Sequence, residues 1–223
     1  MKYISKIGLE IEGGWFSTED KPESLTSWHH DDSVRNIRKT QNGVPIRFIG
    51  EAVSIPLANL SAVHEWINIY WPDRKNKSCG FHIHTSFVDP KFYWYLVNED
   101  FYIQFYKKMK AVGNKLHLSA HFFDRLIGKN VHCQKLFKGR EQLYALTKTN
   151  NRYSQLNYCY SLHGTLENRL PCAILPIRKA QQYVDEYIQF IENYLEAHPK
   201  PEITEFNWET KVEVEDENEK ILS

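Results

Sequence analysis

The stretch CGFHIHTSFV (residues 79–88) alternates strictly, with Phe81, Ile83, Thr85 and Phe87 on one side of an extended chain and His82, His84 and Ser86 on the other. A strand covered on both faces reads as a nearly continuous apolar run. This one keeps two imidazoles and a hydroxyl on one side, which predicts a sheet with one face on the core and one polar face.

Three further segments share the pattern. In YISKIGLEIE (3–12), Ile7, Leu9 and Ile11 oppose Gly8, Glu10 and Glu12. IRFIGEAVSI (46–55) carries Glu51 and is stopped by Pro56. LHGTLENRL (162–170) places Thr165, Glu167 and Arg169 on one side. Helical spacing of Leu60, Val63, Ile67, Tyr70 and Trp71 predicts an amphipathic helix over 58–71, ended by Pro72. Residues 90–112 read as one aromatic-rich helix, and 115–148 as further helix and irregular chain. Pro176 opens a long helix to about Ala197, whose apolar stripe is Ile177, Ala180, Val184, Tyr187, Ile188, Ile191 and Leu195. Residues 13–45, rich in Gly, Pro, Ser, Asn and Asp, read as loop with a short hairpin. Strands and helices without strict β-α-β alternation predict an α+β fold with a largely antiparallel sheet.

The chain has 223 residues, enough for one domain over residues 1–198, followed by an acidic, Pro-flanked tail (199–223) expected to be mobile. Apolar residues make up 42% and charged residues 25%, which excludes wholesale disorder. Lys+Arg and Asp+Glu are both 28, so the chain is no polycation built for nucleic acid. Lys129, Lys135, Lys138 and Arg140 form a local basic run, which reads as a solvated face. Cys79, Cys133, Cys159 and Cys172 are widely spaced with no C-x-x-C pair, no apolar stretch reaches the roughly 18 residues of a membrane span, and no signal-peptide core precedes the first strand. The expectation is a soluble protein of a reducing cytosol with free thiols.

The polar strand faces carry Glu10 and Glu12, Glu51, His82, His84 and Ser86, and Glu167 and Arg169. Taken singly, a strand Glu-x-Glu is usually a solvated edge, His-x-His often a satisfied core pair, and Glu-x-Arg a cross-strand salt bridge. Taken together they need partners, because charges brought onto a sheet face must be paired or bind metal. Carboxylates are the hard-oxygen ligands of Mg²⁺, and an imidazole completes such a shell for Mg²⁺ or Mn²⁺. A guanidinium cannot bind metal but matches phosphate oxygens.

GLEIEGGW (8–15), HDDSV (30–34), GEAVSIPL (50–57), CGFHIHTSF (79–87) and NRYSQLN…GTLENRL (151–170) resemble, in order, the motifs of the amidoligase family, carboxylate–amine ligases related to glutamine synthetase and glutamate–cysteine ligase. The resemblance implies a glutamine-synthetase-like half-barrel of mostly antiparallel strands whose concave face holds ATP and two or more Mg²⁺ (or Mn²⁺) ions. It implies that Glu10, His82 and Glu167 hold the metal bridging the ATP phosphates, and that Glu12 and Glu51 hold a second metal near the acyl substrate. It implies that Arg169 binds phosphate, that Ser86 and His84 lie where the nucleotide approaches, and that Arg152 is a second anion-binding arginine. Asp31 matches an aspartate near the incoming amine; with Glu51 it can take the amine's proton. The family usually follows that aspartate with glycine, whereas this chain has Asp32. The expected partners are a small-molecule or peptide carboxylate and an amine.

Other classes share parts of the pattern. A cupin-like metal protein also uses His-x-His, but wants a Glu shortly after His84, where this chain reads Thr85, Ser86, Phe87, Val88. A metal-dependent phosphoesterase or nuclease would use the same carboxylates without ATP, and an inactive relative would bind nucleotide only. Oligomeric state is open.

Overall fold

A computed structural model describes residues 1–32, 34, 37, 40–41, 43–131, 133–135, 153–159 and 164–198. Arg152, Lys138, Arg140, the start of the 162–170 segment and the acidic tail lie outside the described residues. The chain runs β1 (Ile4–Trp15), a 3-10 turn, β2 (Thr26–His29), β3 (Thr40–Gln41), β4 (Val44–Pro45), β5 (Phe48–Ser54), α1 (Leu60–Tyr70), β6 (Phe81–Phe87), α2 (Pro90–Tyr95), α3 (Glu99–Lys115), α4 (Ala120–Leu126), β7 (Leu156–Cys159), β8 (Thr165–Asn168) and α5 (Ile177–Ala197). This is an α+β fold. Six strands form one antiparallel sheet in the order β2-β5-β1-β6-β8-β7, and β3 and β4 make a separate small hairpin.

The apolar half of each alternating segment makes the core. Ile7, Leu9 and Ile11 of β1, Ala52 of β5 and Phe81 and Ile83 of β6 are fully buried with Val63, Trp66, Ile67 and Tyr70 of α1 and Phe101, Phe105 and Met109 of α3. Two polar groups on this side bond across the layers: Trp15 Nε1 donates to Tyr70 O at 2.9 Å, and Asn168 Nδ2 donates to the Tyr183 hydroxyl of α5 at 3.1 Å. The helices therefore cover one face of the sheet and leave the other to the polar residues.

Several element limits differ from the sequence reading. Residues 90–112 form two helices, because the Asn98 side chain accepts the Phe101 N–H at 2.7 Å and starts α3 afresh. β1 runs three residues further, through Gly13 and Gly14, which pair with Gly50 and Ile49. β2 and the edge strand β7 lie in segments read as loop or left unassigned, where no alternation marks them. Ile177 is exposed rather than part of the α5 stripe, since it is the first helical residue, beyond the edge of the core; Tyr183, Phe190 and Tyr194 join the buried face instead. Cys79, Cys133 and Cys172 are free and buried, as expected. Among the described residues no helix is long and apolar enough to cross a membrane.

Candidate functional site

Strand register assembles the polar face into rows. Gly8 of β1 lies across from His84, which lies across from Glu167, which lies across from Asn157. One step along β1, Glu10 sits between Val53 and His82; at the next step Glu12 faces Glu51, which faces His29. Directly opposed residues share a sheet face, so residues from all six strands line up on it although Gly8 and Glu167 are 159 positions apart in the chain.

At the centre, a carboxylate oxygen of Glu10, a ring nitrogen of His82 and a carboxylate oxygen of Glu167 all lie within 4.8 Å of one another. His82 Nδ1 is 3.1 Å from Glu10 Oε2 and 3.5 Å from Glu167 Oε1. Two carboxylates and one imidazole at this spacing fit a single hard divalent ion, Mg²⁺ or Mn²⁺. The second imidazole stands beside this group: His84 Nδ1 meets the Thr165 hydroxyl at 3.2 Å, and its Nε2 lies 2.9 Å from Glu10 Oε1 and 3.9 Å from Glu167 Oε1. This separates the two histidines as the alternation alone could not, with His82 offered to the centre and His84 holding Glu10.

The neighbours of each ligand fix its charge. Burial pushes the Glu10 carboxyl up, but hydrogen bonds from His82 and His84 outweigh it and hold Glu10 well below the usual carboxylate range. Burial likewise opposes ionisation of Glu167, and the Arg169 guanidinium, bonded directly to Glu167 Oε1, brings it below the ordinary value. For His84, burial lowers the pKa and the Glu10 carboxylate more than restores it, leaving the imidazole raised. Asn157 Nδ2 donates to Glu167 Oε2 at 2.8 Å and the Gly80 N–H donates to Glu12 Oε2 at 2.7 Å. Both contacts escaped the sequence reading; Asn157 is in the quoted NRYSQLN string, but only its strand pairing shows which way it faces.

Gly80 has a steric reason to be glycine. A Cβ there would collide with His82 Nε2 and approach Glu12 Oε1 to 2.9 Å, so the space between these two groups exists only because the side chain is absent.

A second acidic group lies one row from the centre. Glu12 and Glu51 oppose each other across β1 and β5, an arrangement that is unfavourable for two ionised carboxylates. Burial, reinforced by Glu10, Glu12 and Asp31, pushes the Glu51 carboxyl up to about 8. Its folded pKa exceeds its unfolded value, so its contribution to stability is present below about pH 4.5 and is lost as pH rises through about 8. Glu51→Gln is therefore expected to stabilise the metal-free protein increasingly from pH 5 to 8, by on the order of 1–3 kcal/mol given the partial solvation of this face. Urea unfolding in chelator tests this; a pH-independent difference would show Glu51 to be an ordinary solvated carboxylate.

The structure thus brings Glu10, Glu12, Glu51, His82, His84, Glu167 and Arg169 onto one face, with Asp31 near enough to act electrostatically on Glu51. Ser86 stands further along β6, its hydroxyl donating to Lys6 O at 3.3 Å. Arg152 falls outside the described residues. Burial pushes the Cys79 and Cys133 thiols up to about 11, so neither supplies a thiolate nucleophile at neutral pH. Arg125, buried and donating to Pro171 O at 2.8 Å, had no signal in the sequence that set it apart from other helix arginines. Against this geometry, comparison of the chain with protein-family models, with curated proteins and with solved structures gives no match.

Proposed function

We propose that the protein is an ATP- and Mg²⁺-dependent carboxylate–amine ligase of the amidoligase type, its sheet curved as a glutamine-synthetase-like half-barrel around ATP. The observation that carries this reading is the division of the polar face: Glu10, His82 and Glu167 converge within 4.8 Å beside the Arg169 guanidinium, and a separate carboxylate pair, Glu12 and Glu51, stands one row away. Mg²⁺ or Mn²⁺ bound there supplies charge neutralisation for phosphate and carboxylate oxygens.

Glu10, His82 and Glu167 would hold one such ion and Glu12 and Glu51 a second, each supplying charge neutralisation to phosphate or carboxylate oxygens, and Ser86 and His84 would line the nucleotide approach. In the first step a carboxylate oxygen of the acid attacks the γ-phosphorus, the bond to the bridging oxygen breaks, and ADP leaves with the electron pair. Arg169 stabilises the charge spread over the transferring phosphoryl group. In the second step the amine nitrogen attacks the acyl carbon, phosphate departs with its electron pair, and Asp31 or Glu51 accepts the nitrogen's proton. No protein nucleophile is required.

The test is incubation with ATP, Mg²⁺ and pooled metabolites, followed by mass spectrometry. The expected result is ADP together with a new compound equal in mass to an acid plus an amine less one water. Phosphate-ester or nucleic-acid cleavage without ATP would replace this reading with a phosphoesterase or nuclease.

A further inference from the structure

The same face continues beyond Glu12. On one side Gly14 pairs with Ile49 of β5; on the other it pairs with Arg74, Gly14 N–H donating to Arg74 O at 2.8 Å and Arg74 N–H to Gly14 O at 2.9 Å. Alternation puts Gly14 on the side of Glu10 and Glu12, and a Cβ at Gly14 would meet Arg74 Cβ at 3.5 Å, so the Arg74 side chain leaves the backbone on the polar face. It stands one row past the Glu12–Glu51 pair, about 7 Å along the strand.

Among the described residues the guanidinium has no counter-charge. Its Nε is buried with no hydrogen-bond partner, and Arg74 pairs with none of the described carboxylates. The adjacent charges are engaged: Asp73 Oδ2 accepts the Phe16 N–H at 2.9 Å, and Lys75 Nζ donates to Pro72 O at 3.3 Å and lies over the Trp71 ring. Ile37 and Ile46 bring methyl groups to 3.1 and 3.0 Å of the position a Gly14 Cβ would take, so apolar surface stands beside Arg74. A partly buried cation left unpaired in the protein is a site for an anion.

We propose that Arg74 binds a second carboxylate on the acid substrate, so that the acid is a short dicarboxylate. This rests on the ligase reading, in which the reacting carboxylate lies at the Glu12–Glu51 row. The second carboxylate then falls one row on, in the fork of Arg74, and the hydrocarbon between them lies against Ile37 and Ile46. A monocarboxylate would leave the guanidinium unpaired, and discrimination by a missing charged partner is strong.

Two measurements on the full chain test this, titration calorimetry with Mg²⁺ and ADP present and ATP turnover with ammonium, each using glutarate, succinate and the one-charge analogue butyrate. Glutarate or succinate is expected to bind at least 10-fold more tightly than butyrate, and Arg74→Gln is expected to remove that preference; Arg74→Lys should restore part of it. Diacid preference without ATP turnover would keep the Arg74 assignment and remove the ligase reading. Turnover that favours butyrate equally, a preference unchanged in Arg74→Gln, or no diacid binding to the wild-type protein would overturn the assignment.

Discussion

Glu167→Gln is expected to destabilise the protein by about 3–5 kcal/mol even when no metal is present, the range for removing one partner of a buried ion pair. Glu167 is 2% exposed and is the direct partner of Arg169, which is 9% exposed. The amide keeps the volume but leaves the guanidinium without its charge partner and disturbs the Asn157 contact. From its residue type and spacing alone this substitution looks harmless to the fold; the ion pair makes it otherwise. Glu10→Gln is the cleaner probe of metal binding, because Glu10 is more exposed and its partners are two imidazoles that can lose a proton rather than a permanent cation. It should weaken Mn²⁺ binding by on the order of 100-fold or more, with a stability loss under about 2 kcal/mol. Denaturation with chelator and Mn²⁺ titration separate the two effects. Unchanged Mn²⁺ affinity in Glu10→Gln would remove the metal centre, and an unchanged unfolding midpoint in Glu167→Gln would show that the Arg169 pair adds nothing.

Arg169→Lys is expected to lower ATP turnover with the true substrates by on the order of 100-fold or more, while ATP affinity changes little. Arg169 bonds Glu167 Oε1, the same oxygen that approaches His82, so a phosphate met by this guanidinium is adjacent to the metal group. Lysine keeps a charge near Glu167 but loses the planar fork that spreads over a transferring phosphoryl group, an interaction strongest in the transition state. Equal losses in affinity and turnover would make Arg169 a ground-state anchor. No loss in either would leave it as the structural partner of Glu167.

Alternation in residues 7–12, 48–54 and 81–87 was legible directly, since the pleat sends neighbouring side chains to opposite faces wherever the strand ends up. So were the α+β class, the long helix after Pro176, and the hard-ligand character of a face rich in carboxylates. Gly13 and Gly14 read as loop because glycine marks turns in isolation, yet both extend β1. Asn98 breaks the predicted helix by capping the next one, a contact between neighbours that periodicity does not register.

The amino-acid order by itself determined which residues share a face within each strand, because that depends on a two-residue repeat. It did not determine which strands are neighbours or in what register. Only the β2-β5-β1-β6-β8-β7 order sets His84 beside Glu167, Glu10 beside His82 and Glu12 against Glu51. From that pairing come the raised Glu51 and the Gly80 amide on Glu12. A one-residue slip would send each set to the opposite face. Pairing is decided by contacts between distant segments as the core closes on the helices, whereas periodicity is written into the local chain.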